Sequence, residues 1–453
     1  MTKEEFYDVV KKLVVPLFTG SYLAGEIESS SRDLEVALGK GSSILLKPTR
    51  ADDYRLVLKR GQAFKAFEVN LIRSIVNELN LVSLSNVQDG AYLAKMQSLA
   101  IEKALVESIA DGDAANTILS VINNMEKWAT RTYEGSKISL GVMVNMAANN
   151  EDHSVHCSSV LNSEFFALFT NGTSSFVEFD SKGYMLGYVA LKNPRHVATI
   201  APYKFGKVAK VCNDKRIGII LTEMGDILIF YARQLMYARR NGNWCVYCHD
   251  EIIRLLQNNV SYTAKMIRRA IYNTALDCSF AYNGACVVYL NNDTTTDALI
   301  HINAADIVSE DHFNVKKKIE LEEAGKLYNL GNARNVIDQF SMSYSDFLET
   351  NNYVKTMTMR KIISGRKIFE LDRKLIEEMT SVDGATIIDH DGTIIAVGAI
   401  VKIDAGSDGG GRLAAAKTMA KYGVSIKVSQ DGAMQGFTYD KKKNKVRQIF
   451  YVG

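Results

Sequence analysis

The sequence predicts a mixed α/β (α+β) chain with a helical start, a β-rich middle and an α/β end. Three observations carry this. Over residues 1–136 the apolar side chains recur at helical spacing. From Lys137 the period shifts to short apolar runs divided by Asn, Asp, Gly and Ser, the mark of strands. Residues 382–430 then run strand, turn, strand, glycine loop, helix, strand.

In chain order, Phe6, Val9, Val10, Leu13 and Val14 make one helix face, broken at Pro16. Phe64, Phe67, Leu71, Ile75, Val76 and Leu79 make a second. A third helical stretch, 92–128, is interrupted at Asp111-Gly112-Asp113. Strands are expected at 141–144, 165–169, 175–179 and 184–191. Two more, 217–220 and 227–231, flank a Met224-Gly225-Asp226 turn, and 235–239 and 244–247 flank Asn241-Gly242, a dipeptide suited to a tight hairpin. This gives a helical region 1–136, a β-rich region 137–250 and a C-terminal domain over 255–453, with no internal repeat or long linker.

Composition bounds the function. The 453 residues have room for two or three domains, and 47% apolar and 23% charged content are ordinary globular values. A net charge of 54 − 51 = +3 gives no reason to expect a nucleic-acid or anionic-membrane partner. No apolar run approaches the roughly 18 residues of a membrane span, and the charged start Met1-Thr2-Lys3-Glu4-Glu5 does not read as a signal peptide. Six cysteines in so long a chain read as free thiols in a reducing compartment, so a cytoplasmic location is expected.

Two motifs are set aside. Cys245-Val246-Tyr247-Cys248-His249 spells a haem-attachment pattern, but cysteines three apart on a strand point to opposite faces. His153 and His156-Cys157 lack a second ligand pair at metal-site spacing. Trp128, Arg131 and Tyr133 read more simply as packing than as a pocket wall.

The chemistry is concentrated in 382–430. Val382-Asp383-Gly384-Ala385 opens a strand, and Asp391-Gly392 turns the chain into a second strand at 394–400. The loop Gly406-Ser407-Asp408-Gly409-Gly410-Gly411 delivers Arg412 to the start of a helix, and a last strand, 424–428, ends in Ser429-Gln430. Tandem glycines let backbone N–H groups close on an anion, and a helix N-terminus adds its unpaired donors. Arg412 offers a planar fork for phosphate oxygens. Asp383 is the group to bind a divalent metal or to orient a hydroxyl nucleophile. The plainer alternative is a turn aspartate beside a surface loop.

The order and spacing resemble the diadenylate cyclase domain, the catalytic module of the DNA-integrity scanning protein and its membrane-bound relatives. Asp383-Gly384-Ala385 matches that family's Asp-Gly-Ala signature. Arg412-Leu413-Ala414 falls on the end of its Gly-Thr-Arg-His-Arg-Ala-Ala motif, and Val428-Ser429-Gln430-Asp431 on its Val-Ser-Glu-Glu. Gly284-Ala285-Cys286-Val287-Val288-Tyr289 is similar to its first core strand; 264–281 and 372–379 would be helices ahead of the two strands. Gly409-Gly410-Gly411 stands where the family has Thr-Arg-His, and an insertion of about 293–368 separates the two strand starts; it is expected to pack outside the sheet, with Lys316 to Lys318, Glu320, Glu322 and Glu323 on a solvated helical face.

The resemblance implies a mixed central sheet flanked by helices and the condensation of two ATP into cyclic di-AMP, a second messenger, with Mg²⁺ or Mn²⁺. Asp383 and Arg412 would be catalytic, with Asp383 the metal ligand. Gly384, Ala385, Gly409, Gly410, Gly411, Ser429 and Gln430 would bind nucleotide. Residues ahead of the module would form a sensor domain. Joining two nucleotides symmetrically calls for a homodimer or higher homo-oligomer with facing sites. The missing Arg-His pair leaves open a catalytically silent nucleotide or cyclic-dinucleotide receptor, and no residue encodes adenine selection.

Overall fold

The computed structural model describes residues 2–30, 33–49, 52–83, 89–149, 155–163, 165–192, 197–256, 261–326, 338, 341–403 and 410–453. The chain forms two compact units: residues 1–251 together with 452–453, and residues 252–451.

In the first unit, helix α1 (Lys3–Val9) leads into a four-stranded antiparallel sheet. Its strands are β1 (Tyr22–Glu28), β2 (Val36–Leu38), β3 (Ser43–Leu46) and β4 (Tyr54–Lys59), in the order β1-β4-β3-β2. This sheet corrects the helical reading of 1–136. β1 is an edge strand with nearly every residue exposed, so it has no period-two apolar stripe to be read. Helix α2 (Ala66–Ser83) follows, and the long stretch 92–128 resolves into α3 (Gly90–Glu107) and α4 (Gly112–Ala129). Asp89 caps α3 by accepting from the Ala91 N–H at 2.8 Å.

After the short hairpin β5 (Thr132–Tyr133) and β6 (Ser136–Lys137), a seven-stranded sheet forms. It comprises β7 (Leu140–Asn145), β8 (Ser175–Asp180), β9 (Met185–Ala190), β10 (Arg216–Leu221), β11 (Ile227–Tyr231), β12 (Gln234–Arg240) and β13 (Asn243–Val246). The order is β13-β12-β11-β10-β7-β8-β9, antiparallel except for the β7–β8 pair. Asn241 and Gly242 both adopt positive φ (49° and 81°), the tight turn that an Asn-Gly dipeptide favours. Helices α5 (Cys157–Asn162) and α6 (Phe166–Phe169) lie between β7 and β8. The strand expected at 165–169 is therefore a helical turn, with Phe165 and Phe169 edge to face at 5.8 Å. A five-residue apolar run carries too little periodicity to separate the two states.

Helices α7 (Gly206–Val211) and α8 (His249–Leu255) precede α9 (Tyr262–Phe280), which Ser261 caps by accepting from the Ala264 N–H at 3.1 Å. The second unit is built on a six-stranded mixed sheet. Its strands are β14 (Ala285–Leu290), β15 (Ala385–Ile388), β16 (Ile394–Ala399), β17 (Gly423–Val428), β18 (Met434–Asp440) and β19 (Lys445–Val452), in the order β16-β15-β14-β17-β18-β19. β14 and β15 are parallel and adjacent, with Val287 opposite Thr386; β14–β17, β15–β16 and β17–β18 are antiparallel. β18 and β19 extend the sheet past the strand that the sequence reading had placed last.

Between β14 and β15 run α10 (Thr295–Ala298), α11 (Glu310–Lys326), α12 (Tyr344–Thr350) and α13 (Val354–Ile363), then α14 (Arg373–Thr380). Among its described residues this insertion adds no strand, only a bridge from Ile307 to Ala396 on β16. Its Leu299, Ile302, Phe313, Tyr344 and Phe347 share one apolar cluster with Val288, Ile387 and Ile395 of the sheet. Phe313 packs against Tyr344 and Phe347 with ring centroids 4.6 and 4.9 Å away. The expected solvated face of 316–323 needs one correction: Lys316 is 2% exposed, its ammonium 2.9 Å from Glu320 and 3.4 Å from the Ile300 carbonyl. Burying its aliphatic stem lets one lysine of a charged run join the packed side.

Candidate functional site

Ala285 opens β14, Ala385 opens its parallel neighbour, and Val428, opposite Ala285, ends β17. The Gly284, Asp383 and Ser429 segments are thereby brought to one end of the sheet. Helix α15 (Gly411–Met419) lies over this sheet; the Ser425 hydroxyl donates to the Ala416 carbonyl at 2.6 Å, and Ala414 and Ala416 are buried. Its first turn carries Arg412 to that end.

Arg412 Nη2 lies 3.2 Å from Asp383 Oδ1; the aspartate side chain is 88% exposed and the arginine 29%. Arg412 Nε is buried and has no hydrogen-bond partner among the described residues. A Cβ on Gly284 would stand 2.5 Å from Arg412 Nη1 and 3.3 Å from Gln430 Cγ, so only glycine leaves the guanidinium its place. Gly384 has φ +112°, and a Cβ there would meet the Gly398 carbonyl carbon at 2.4 Å.

Of the other expected residues, Gly410 (φ 81°) and Gly411 are exposed at the start of α15, and Gln430 is exposed. Ser429 helps close the β17–β18 turn, its carbonyl accepting from Gly432 N at 2.9 Å. Ala385 is fully buried in the apolar cluster. Gly409 lies outside the described residues, as do Gly406 to Asp408 and His153.

Three residues escaped the sequence reading. Lys427 donates to the Ser429 hydroxyl and shares its strand face, adding a cation at this end; the period-two spacing from Ser429 was the available signal. Lys355, on α13, donates to the Gly398 carbonyl at 2.8 Å and to Asp306 Oδ1 at 2.7 Å, and Asp306 Oδ2 accepts from the Ile400 N–H at 3.2 Å. Through Gly398 the insertion braces the turn that holds Asp383. No local pattern announces so long-range a contact.

Among the described residues no group of three or more His, Cys, Asp or Glu side chains is placed to hold a metal. Mg²⁺ is commonly held by one or two carboxylates together with substrate phosphates. Asp383, whose side chain is 88% exposed, is a carboxylate that the described residues place at this end of the sheet.

The motifs set aside have ordinary surroundings. All six cysteines are free and buried. Burial pushes the Cys245 thiol up to about 11 and Cys286 up to about 12, and raises Cys248 as well. His156 caps α5, bonding Ser158, and Trp128 Nε1 donates to the Leu161 carbonyl at 2.7 Å. A separate cleft of about 1010 Å³ in the second unit, lined by the insertion and by Thr393 and Ile394, includes none of the residues expected from the sequence. No described helix is long and apolar enough to cross a membrane. No protein-family model matches the chain, and no curated protein matches it.

Proposed function

We propose that the second unit is a diadenylate cyclase-like nucleotidyltransferase that condenses two ATP into cyclic di-AMP with release of two pyrophosphates. The observation that carries this is the Asp383–Arg412 pair, 3.2 Å apart at the sheet end where a side chain on Gly284 would push the guanidinium aside. An acid able to orient a hydroxyl and a fork able to hold a phosphate stand side by side, contributed by elements 29 residues apart.

In this reading the triphosphate displaces Arg412 from Asp383, taking the Nη donors and the unpartnered Nε. Asp383, released, orients the 3′-hydroxyl of the nucleotide held by a facing subunit. That oxygen bonds to the α-phosphorus, the bond to pyrophosphate breaks, and the hydroxyl proton leaves toward the carboxylate. The same step in the opposite sense closes the ring. Mg²⁺ or Mn²⁺ brought with ATP supplies charge neutralisation at the phosphates. Lys427 adds a fixed positive charge. The first unit would then be the regulatory partner of the catalytic one.

One observation favours a silent receptor. Gly410 and Gly411 offer no side chain to the phosphates, so anion binding there rests on Arg412, Lys427 and backbone donors. Incubation of the purified chain with ATP and Mn²⁺, followed by mass analysis of products, separates the readings. Cyclic di-AMP made by wild type and not by Asp383→Asn supports the synthase. Tight ATP binding with no dinucleotide under either metal replaces it with the receptor.

A further inference from the structure

At the other end of β15, beyond Ile388, the structure gathers a second set of chemical groups, independent of the nucleotide reading. Ser309 Oγ lies 2.8 Å from His312 Nδ1, and His312 Nε2 lies 3.1 Å from Asp389 Oδ2. The His312 and Asp389 side chains are 14% and 9% exposed. The remaining oxygen of Asp389 is fixed by three donors: Thr295 Oγ1 at 2.7 Å, the His390 N–H at 2.8 Å and His390 Nδ1 at 2.9 Å. That leaves Oδ2 for the Nε2–H of His312, the tautomer whose Nδ1 carries a free lone pair toward the serine hydroxyl. The order is nucleophile, base, orienting carboxylate.

Ser309 also lines the cleft of about 1010 Å³. Leu348, Met357, Ile363 and Ile394 contribute apolar lining to that cleft, among charged groups of both signs that include Glu310, Asp311, Glu349 and Lys361. Helix α11 starts at Glu310, so the N–H groups of Glu310 and Asp311 have no acceptor within the helix and follow Ser309 directly. They are donors of the kind that hold a carbonyl oxygen as it gains charge.

We propose that Ser309, His312 and Asp389 form a second, hydrolytic site that cleaves carboxylic esters with an acyl chain short enough for this cleft. Ser309 Oγ adds to the ester carbonyl carbon while its proton passes to His312 Nδ1. The C–O bond to the alcohol breaks, and His312 returns the proton to the departing oxygen. A water molecule, giving its proton to the same Nδ1, then attacks the acyl-serine. The acid departs and Ser309 recovers its hydrogen, so ester and water become acid and alcohol. Asp389 stays ionised throughout and acts through His312, as a positioning residue.

Ser309 is also the residue that precedes α11, its carbonyl accepting from Phe313 N at 2.9 Å. The competing account is that the hydroxyl serves only to cap the helix. Ser309→Asn separates the two, because asparagine caps as well as serine and carries no nucleophile. The full chain is treated with a fluorophosphonate probe and the adduct located by peptide mass, and 4-nitrophenyl butyrate hydrolysis is followed with pH. The expected result is one adduct on Ser309 and hydrolysis that falls about 100-fold or more in Ser309→Asn and in His312→Gln. The unfolding midpoint of Ser309→Asn should stay at the wild-type value, and Asp389→Asn should shift the pH profile of hydrolysis. Absence of a Ser309 adduct, or equal hydrolysis by wild type and Ser309→Asn, overturns the proposal and leaves Ser309 a helix cap.

Discussion

Lys355 Nζ lies 2.8 Å from the Gly398 carbonyl oxygen, and Gly398 is the residue against which Gly384 folds. A lysine of the insertion thus supports the backbone turn that presents Asp383, with Asp306 as its counter-ion at 2.7 Å. Replacing Lys355 by Met removes a charged donor and leaves Asp306, 11% exposed, without it. Because the lysine is 40% exposed, the loss should sit near the lower end of the roughly 1.5–3 kcal/mol for hydrogen bonds to charged groups. Urea unfolding measures that loss. ATP affinity should weaken with it; unchanged affinity would show that the brace does not reach the site.

Arg412→Ala should weaken ATP binding by about 1.5–3 kcal/mol, read by calorimetry. Arg412→Lys should recover only part of this, since an ammonium cannot present two parallel donors to a phosphate. Asp383→Asn, at a side chain 88% exposed, should leave the unfolding midpoint in place while abolishing dinucleotide formation. Equal turnover by Asp383→Asn would remove that carboxylate from the mechanism.

Gly384→Ala places a Cβ 2.4 Å from the Gly398 carbonyl carbon at φ +112°. Strain of about 1–3 kcal/mol is expected from the backbone conformation alone, with more from the contact. A variant as stable as wild type would mean that the two strands separate readily there. Gly284→Ala should instead leave β14 formed and displace Arg412, lowering ATP affinity more than stability.

Burial pushes the Asp389 carboxyl up, but hydrogen bonds from His312, His390 and Thr295 outweigh it and hold the group well below the usual carboxylate range. A carboxylate depressed in the folded state binds fewer protons there than in the unfolded chain. Its contribution is complete above its unfolded value of about 4 and declines as pH falls below that. Wild type should therefore lose urea resistance more steeply than Asp389→Asn between about pH 4 and pH 2. Parallel curves would contradict the assignment.

In the first unit, Arg60 meets Glu68 through two hydrogen bonds, 2.8 and 2.5 Å, with both side chains 2% exposed and the guanidinium 4.1 Å over the Phe64 ring. Glu68→Ala leaves a buried guanidinium uncompensated and should cost about 3–5 kcal/mol, whereas a surface pair such as Lys12–Asp8 should cost less than about 1 kcal/mol. Calorimetric unfolding of the two variants compares them directly.

The sequence by itself determined what depends on near neighbours. Asn241-Gly242 specified a turn with two positive φ values, Asp372 a helix start by accepting from Lys374 N at 2.9 Å, and the strand–turn–strand and helix–strand order of 382–428 its own elements. These choices are made by backbone sterics and by hydrogen bonds that span a few residues. Only the tertiary structure decided which strands are neighbours. It set β14 beside β15 across the whole insertion, brought Arg412 to Asp383, joined Lys355 to Gly398, and met Ser309 and His312 with Asp389. It also drew Lys316 inward and made a strand of the exposed segment Tyr22–Glu28. The physical reason is that burial and polar pairing are properties of a packed neighbourhood. A lysine stem, an edge strand or a lone serine carries no periodic signal for the neighbours it will acquire.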